Sequence, residues 1–116
     1  MKKKLKELDE LTKDFFKTLQ LKDLYTSKEY LADLIKEKTT DEQLNLLIEN
    51  IDFERKIELI YSGAQIGFDG TISTLLQYKY SDDKSSPPSE MIKITFNDKD
   101  KIVGIQPIKL QSKIKD

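Results

Sequence analysis

The chain has 116 residues, 20 of them basic and 21 acidic, and a formal net charge of −1. Charged residues make up 35% of the chain and hydrophobic residues 37%, which predicts one domain, residues 1–116, with a small core and a heavily charged surface. The chain contains no Cys, His or Trp, so disulfides, Cys/His zinc sites, thiolate nucleophiles and His general bases are excluded. The nearly neutral balance does not resemble the basic field of a nucleic-acid-binding protein.

Apolar residues recur at spacings of three and four in the first half of the chain. This pattern predicts three amphipathic helices, at about 4–21, 27–38 and 41–52. Thr26 and Thr40 each precede Glu or Gln by three positions, and we expect each threonine to begin a capping box at a helix start. No apolar run is long enough to predict a transmembrane segment.

Four β-rich runs follow, which predict antiparallel strands at about 55–67, 71–81, 90–97 and 101–109. Three helices followed by four such strands predict an α+β fold, with the helices packed on one face of a four-stranded sheet. We expect Pro107 to lie in an edge strand, because proline has no N–H to give to a neighbouring strand. Residues 110–116 are expected to form a frayed tail. The side chains expected to be mostly buried are Leu8, Phe15, Leu19, Leu31, Leu44, Leu47, Ile48, Ile51, Leu76, Ile94 and Phe96.

The first two strands are joined by Asp69-Gly70, a dipeptide favoured in two-residue type I′ turns because both residues must adopt positive φ. A two-residue turn places Tyr61 opposite Tyr78 and Gln65 opposite Thr74, on one face of the hairpin. Tyrosine offers an apolar ring with a polar tip, and Gln and Thr can orient a ligand. These four residues are therefore the predicted ligand-binding site. The alternative is that their side chains only complete the core or a half-exposed sheet.

No catalytic residue, metal ligand or cofactor site is predicted. The acidic pairs Asp41-Glu42 and Asp82-Asp83 fall in predicted caps or loops, which provide no apolar setting to raise a carboxyl pKa. The Asp98-Lys99-Asp100 segment lacks the ligand spacing and glycine of a calcium-binding EF-hand loop.

Three stretches resemble the small members of the NTF2-like (cystatin-like) superfamily, and in particular short bacterial domains of unknown function that are often exported. They are Phe15–Tyr25, which is similar to the first helix and its exit, Thr40–Leu44, which is similar to the start of the third helix, and Met91–Pro107, which is similar to the final hairpin. The resemblance implies three helices on a curved antiparallel sheet. Enzymes of this superfamily use a pocket Asp, Tyr or His, but no Asp or Glu falls on the predicted inward face of the long hairpin, which weakens an enzymatic function.

The predicted function is a non-enzymatic binding module that uses the concave sheet face or a sheet edge. Its partner is an unknown small ligand or protein, and a homodimer through the sheet is one expected arrangement. The alternative is a small interaction protein of the immunity or inhibitor type, because residues 22–58 carry ten acids against six bases. A pocket enzyme of the NTF2-like type is the third hypothesis. The compartment stays open: no apolar segment follows the lysines at 2–4, so we expect a cytoplasmic protein or an exported one whose leader has been removed.

Overall fold

The computed structural model describes residues 2–110, with the side chains of residues 2 and 3 omitted, so nearly all of the predicted frayed tail lies outside the described residues. Within this range the chain forms α1 (Lys2–Gln20), α2 (Leu24–Lys28), α3 (Asp33–Lys38), α4 (Asp41–Glu49), β1 (Ile57–Ile66), β2 (Ile72–Tyr80), β3 (Glu90–Phe96) and β4 (Ile102–Lys109). The strands form one antiparallel sheet in the order β1-β2-β3-β4. The predicted α+β class, with the helices first and an antiparallel sheet after them, is confirmed. None of the helices in residues 2–110 has the length and apolar character needed to span a bilayer.

The core lies between α1 and one face of the sheet, which we call the inner face. Leu8, Phe15 and Leu19 follow the predicted helical spacing and are at most 2% exposed. On the sheet, Leu76 pairs with Ile94, and both are fully buried. Because side chains in β2 and β3 alternate between buried and half-buried, the sheet buries one face and leaves the other, outer face, partly open.

Most of the predicted core is buried, and two members on α4 are not. Leu47 and Ile48 are half-buried and pack only at the margin of the core. Conversely, sequence reasoning omitted several side chains that are at most 2% exposed, namely Thr12, Ser27, Tyr78, Tyr80, Ile92 and Ile102.

The single helix predicted at 27–38 is wrong, because residues 29–32 leave the helical path between α2 and α3. The backbone there makes a parallel bridge to β4: the Ala32 N–H donates to the Ile102 carbonyl at 2.8 Å, and the Ile102 N–H donates to the Tyr30 carbonyl at 2.9 Å. This is one isolated bridge beside an antiparallel sheet. The predicted Thr26 capping box is also wrong, because Asp23 caps α2 by accepting from the Thr26 N–H at 3.2 Å.

The capping box predicted at Thr40 is confirmed. Its hydroxyl accepts from the Gln43 N–H at 3.1 Å, and the Gln43 side-chain carbonyl accepts from the Thr40 N–H at 2.9 Å. This box fixes where α4 begins, only two residues after α3 ends.

The predicted two-residue turn at Asp69-Gly70 is wrong. The Gly67 N–H donates to the Thr71 carbonyl at 2.8 Å and the Gly70 N–H to the Gly67 carbonyl at 2.9 Å, so the loop has three residues, 68–70. Of these, Gly70 has positive φ, +85°, which is the pattern of a type I turn followed by a left-handed residue. The added loop residue shifts the strand register by one position relative to the prediction.

The observed register pairs Tyr61 with Gln77 and Gln65 with Ser73. A β-bulge between Leu59 and Tyr61 then changes the register again. Below this bulge, Leu59 pairs with Tyr78, whereas the predicted register places Leu59 opposite Tyr80. Both Leu59 and Tyr78 nevertheless lie on the inner face. Above the bulge, the odd-numbered residues of β1 point to the outer face, because each bulge residue reverses the alternation.

Candidate functional site

The four predicted site residues do not share a face. Gln65 and Tyr61 lie on the outer face and are exposed, Tyr61 by 53%. Thr74 and Tyr78 lie on the inner face, where Thr74 is half-buried and Tyr78 is fully buried. The expected pocket between these four side chains therefore does not form, for the physical reason that the register shift separates them.

Tyr78 connects the sheet to α1. Its hydroxyl donates to Asp9 Oδ1 at 2.6 Å, and Lys13 Nζ lies 3.1 Å from the other oxygen of Asp9. Burial raises the pKa of Tyr78 well above its ordinary value of 10.0, and the hydrogen bond to Asp9 adds to the rise. The phenol therefore stays protonated, and its removal would disturb packing before it disturbed any binding.

A different concavity is better formed. A cleft of about 540 Å³ opens between α3, α4 and β4. Its floor consists of buried core side chains, including Phe15, Leu31 and Leu44, and its walls include Leu47 and Ile105. The full lining is Phe15, Leu31, Ile35, Thr39, Gln43, Leu44, Leu46, Leu47, Asn50, Ile102, Gly104, Ile105 and Pro107.

None of the thirteen residues that line this cleft carries a titratable side chain, although 35% of the chain is charged. Apolar walls with a few convergent polar groups are typical of small-molecule sites. The polar groups are the side chains of Thr39, Gln43 and Asn50. The cleft can therefore offer apolar contact and neutral hydrogen bonds, but its lining has no titratable side chain to move a proton.

The two amides are already oriented by the backbone of α4. Gln43 uses its carbonyl oxygen in the capping box, and Asn50 Nδ2 donates to the Leu46 carbonyl at 2.7 Å. These bonds leave the Gln43 NH₂ as a donor and the Asn50 Oδ1 as an acceptor. The Thr39 hydroxyl donates to the Ile35 carbonyl at 2.6 Å, so its lone pairs also remain to accept.

The cleft owes its position to the break between α2 and α3. The bridge between Leu31 and Ile102 brings the start of α3 against β4, and the Thr40 capping box then turns α4 back beside it. Sequence reasoning missed the site because that bridge joins residues 71 positions apart. The sequence predicts the Thr40 capping box, but this prediction assigns the Gln43 amide only to helix capping and not to a binding site.

A second depression, of about 440 Å³, lies between α1 and residues 51–57. Its lining mixes Lys13, Lys17 and Lys56 with acids, and it includes Arg55. That arginine is already engaged, because Arg55 Nε and a terminal nitrogen donate to Asp82 Oδ1 at 3.0 and 2.6 Å. The guanidinium also lies 4.0 Å from the centre of the Tyr80 ring. The arginine of this depression is therefore already paired with Asp82 and is not available to a ligand.

The acidic pairs have structural partners. Asp41 accepts from Lys28 Nζ at 2.8 Å. Asp82 is held by Arg55, whose hydrogen bond lowers the pKa of the carboxyl, and hydrogen bonds from Ser85 and then Ser89 lower the pKa of Asp83. In the part of the chain that the structure describes, no group of three or more acidic side chains is arranged to hold a metal ion.

No family model, curated protein or solved structure matches the chain.

Proposed function

We propose that this protein is a non-enzymatic binding module that holds an uncharged, mainly apolar small ligand in the cleft between α3, α4 and β4. The observation that carries the proposal is the complete lack of titratable side chains in the cleft lining. Burying a charged ligand group without a partner is unfavourable, so such a lining selects neutral ligands. Catalysis by general acids or bases needs titratable groups within hydrogen-bond reach of the substrate, and this lining supplies none.

The cleft volume limits the ligand. About 540 Å³ lies within the range of drug-sized ligand sites. The Gln43 amide and the Asn50 carbonyl oxygen favour a ligand with one hydrogen-bond acceptor and one donor, such as an amide or a hydroxyl group on an apolar body. The half-buried wall residue Leu47 supplies apolar contact.

The test is binding of N-phenyl-1-naphthylamine, a neutral dye whose fluorescence rises in apolar surroundings. Leu46 lines the cleft and is 58% exposed, so Leu46→Arg places a charge at its mouth without disturbing the core. We expect this change to raise the dissociation constant about tenfold or more, equivalent to about 1.4 kcal/mol. The dye signal should be measured by titration at constant protein concentration.

The matched control is Leu34→Arg. Leu34 is 69% exposed on α3 and does not line the cleft, so we expect unchanged dye binding. Equal loss in both variants would show that general surface charge governs the signal. An unaffected Leu46→Arg variant would place the dye elsewhere and contradict the proposed site.

We also propose that the fold is NTF2-like. The helix-first order, the antiparallel sheet and the cleft between them support this assignment. The immunity-type alternative, through the acidic stretch 22–58, stays a prediction, and so does the pocket enzyme. Binding of the neutral dye in competition with an apolar ligand would favour the small-ligand module over the immunity-type alternative.

A further inference from the structure

The two edges of the sheet differ in how they are protected. At the β4 edge, Pro107 has no N–H, and both backbone groups of Ile102 are taken by Tyr30 and Ala32. Lys109 ends the strand. Proline, lysine and coverage by another segment are the usual means of preventing edge-to-edge pairing. This edge is therefore closed to a further strand.

Among the strands of residues 2–110, only β2 pairs with β1, so the other edge of β1 is open. We consider its segment from Tyr61 to Ile66, where the strand keeps a continuous register with β2. The hydrogen bond from the Gly67 N–H to the Thr71 carbonyl makes residues 67 and 71 a hydrogen-bonded pair. Because hydrogen-bonded and non-hydrogen-bonded pairs alternate along an antiparallel ladder, the backbone groups of Ser62, Ala64 and Ile66 point away from β2. These three residues are exposed, so their N–H and C=O groups are accessible to another strand.

This edge also lacks charge. The segment from Ile60 to Gln77 has eighteen residues, and Asp69 is the only charged one. In the whole chain, 35% of the residues are charged. A strongly acidic or basic partner would find no complementary charge here. A second copy of the same uncharged strand could pair here without charge repulsion and without burying an ion. Antiparallel pairing would place the two Asp69 carboxylates at opposite ends of the paired segment.

Apolar side chains surround the open edge. The exposed fractions are Ile60 39%, Tyr61 53%, Ile66 75%, Phe68 115% and Ile72 54%. An aromatic side chain contributes roughly 150–250 Å² when buried, so this set offers several hundred square ångströms per protomer. A standard interface buries roughly 800 Å² per partner. Because the area available here is smaller, we expect a weak, concentration-dependent association.

We propose that a second copy of this chain pairs with β1 along the Tyr61–Ile66 edge, antiparallel and about a two-fold axis, to give an eight-stranded sheet across a homodimer. Because the same patch meets itself and the β4 edge is closed, assembly stops at two chains. The ligand cleft lies beside β4, at the other edge of the sheet, so this dimer does not depend on the proposed ligand.

The experiment is sedimentation equilibrium of the full chain from micromolar to millimolar concentration. We expect a monomer–dimer equilibrium in the unmodified protein. Ile66→Lys adds a charge to the open edge at an exposed position, and Ala64→Pro removes an outward N–H that β2 does not use. Each change should raise the dimer dissociation constant at least about tenfold, with circular dichroism confirming the retained fold.

Leu34→Lys is the control, since it adds the same charge at an exposed position on α3, and it should leave the equilibrium unchanged. If Ala64→Pro fails to fold, Ile66→Lys decides alone. A protein that stays monomeric throughout the concentration range overturns the proposal. A dimer that survives Ile66→Lys overturns it too, because the contact then lies on another surface.

Discussion

The two hairpins of the sheet close with the same turn and meet different surroundings. In the first hairpin, the Gly67 N–H donates to the Thr71 carbonyl and the Gly70 N–H donates to the Gly67 carbonyl. In the second hairpin, the Asn97 N–H donates to the Lys101 carbonyl and the Asp100 N–H donates to the Asn97 carbonyl. The left-handed residue is Gly70 in one loop, with φ +85°, and Asp100 in the other, with φ +62°. The turn therefore does not explain why one hairpin is buried and the other exposed.

The difference lies in what covers each hairpin. The β3–β4 hairpin is held by Lys4, whose Nζ lies 2.7 Å from Asp100 Oδ2, and by the backbone bridge at Ile102. Its inner side chains Ile94 and Phe96 are at most 1% exposed. Within residues 2–110, no comparable contact holds the tip of the β1–β2 hairpin, and Phe68 there is fully exposed. Local turn chemistry closes a hairpin, but tertiary contacts determine whether its apolar residues become core.

The largest expected effect contrasts these two environments directly. Ile94→Ala should lower the free energy of unfolding by about 2–5 kcal/mol, because it leaves a cavity in packed surroundings. Ile66→Ala, at a residue 75% exposed, should change it by less than about 0.5 kcal/mol. Urea unfolding at low protein concentration measures both. Similar losses in the two variants would mean that the tip of the first hairpin is covered and that the contrast is wrong.

The next effect concerns the turn itself. Gly70→Val should destabilise the first hairpin by about 1–2 kcal/mol, the penalty of the left-handed conformation for an L-residue, with β-branching adding strain. An added Cβ at Gly70 has no atom within 4 Å, so steric contact with neighbours does not contribute. The measurement is the urea midpoint together with amide exchange in β1 and β2.

The control for this change is Gly70→Asn, because asparagine tolerates the left-handed region better than most residues. It should lose less stability than the valine variant. Equal losses would show that the backbone conformation of Gly70 is not what limits the turn.

Much of the fold could be predicted from local patterns. The stripe of Leu8, Phe15 and Leu19 and the alternation around Ile94 follow from periodicity alone. The prediction of the first turn is wrong for a definable reason. A two-residue loop needs positive φ at both Asp69 and Gly70, whereas the observed loop needs positive φ at Gly70 alone. The same dipeptide is compatible with both loops. The choice between them moves the β1 residues between the bulge and the turn, Tyr61 to Ile66, to the other face.

The candidate site was beyond sequence reasoning because it depends on contacts between distant residues. Leu47 illustrates this. Its helical spacing predicted a packed core position, but it is half-buried because it lines the cleft. The bridge at Ile102 that creates the cleft interrupts a stretch whose periodicity is helical throughout. Neither feature has a local signal.

The smallest expected change in stability at neutral pH comes from a substitution in the β2–β3 connection, the loop that joins the two hairpins. Asp83 is 7% exposed and accepts from the N–H groups of Ser85 at 3.0 Å and Ser89 at 2.7 Å, and from the Ser89 hydroxyl at 2.9 Å. These donors favour the ionised carboxylate, so the pKa of Asp83 falls well below its ordinary value of 3.8. A carboxyl with a lower pKa in the folded chain stabilises the fold fully above the unfolded pKa, and this contribution is lost as the pH falls below that value.

Asp83→Asn should therefore reduce stability at neutral pH. It should also flatten the decline in stability between about pH 5 and about pH 2, measured as urea midpoints. If the two proteins lose stability in parallel over that range, other carboxylates govern the acid response, and the loop does not hold the hairpins together through Asp83.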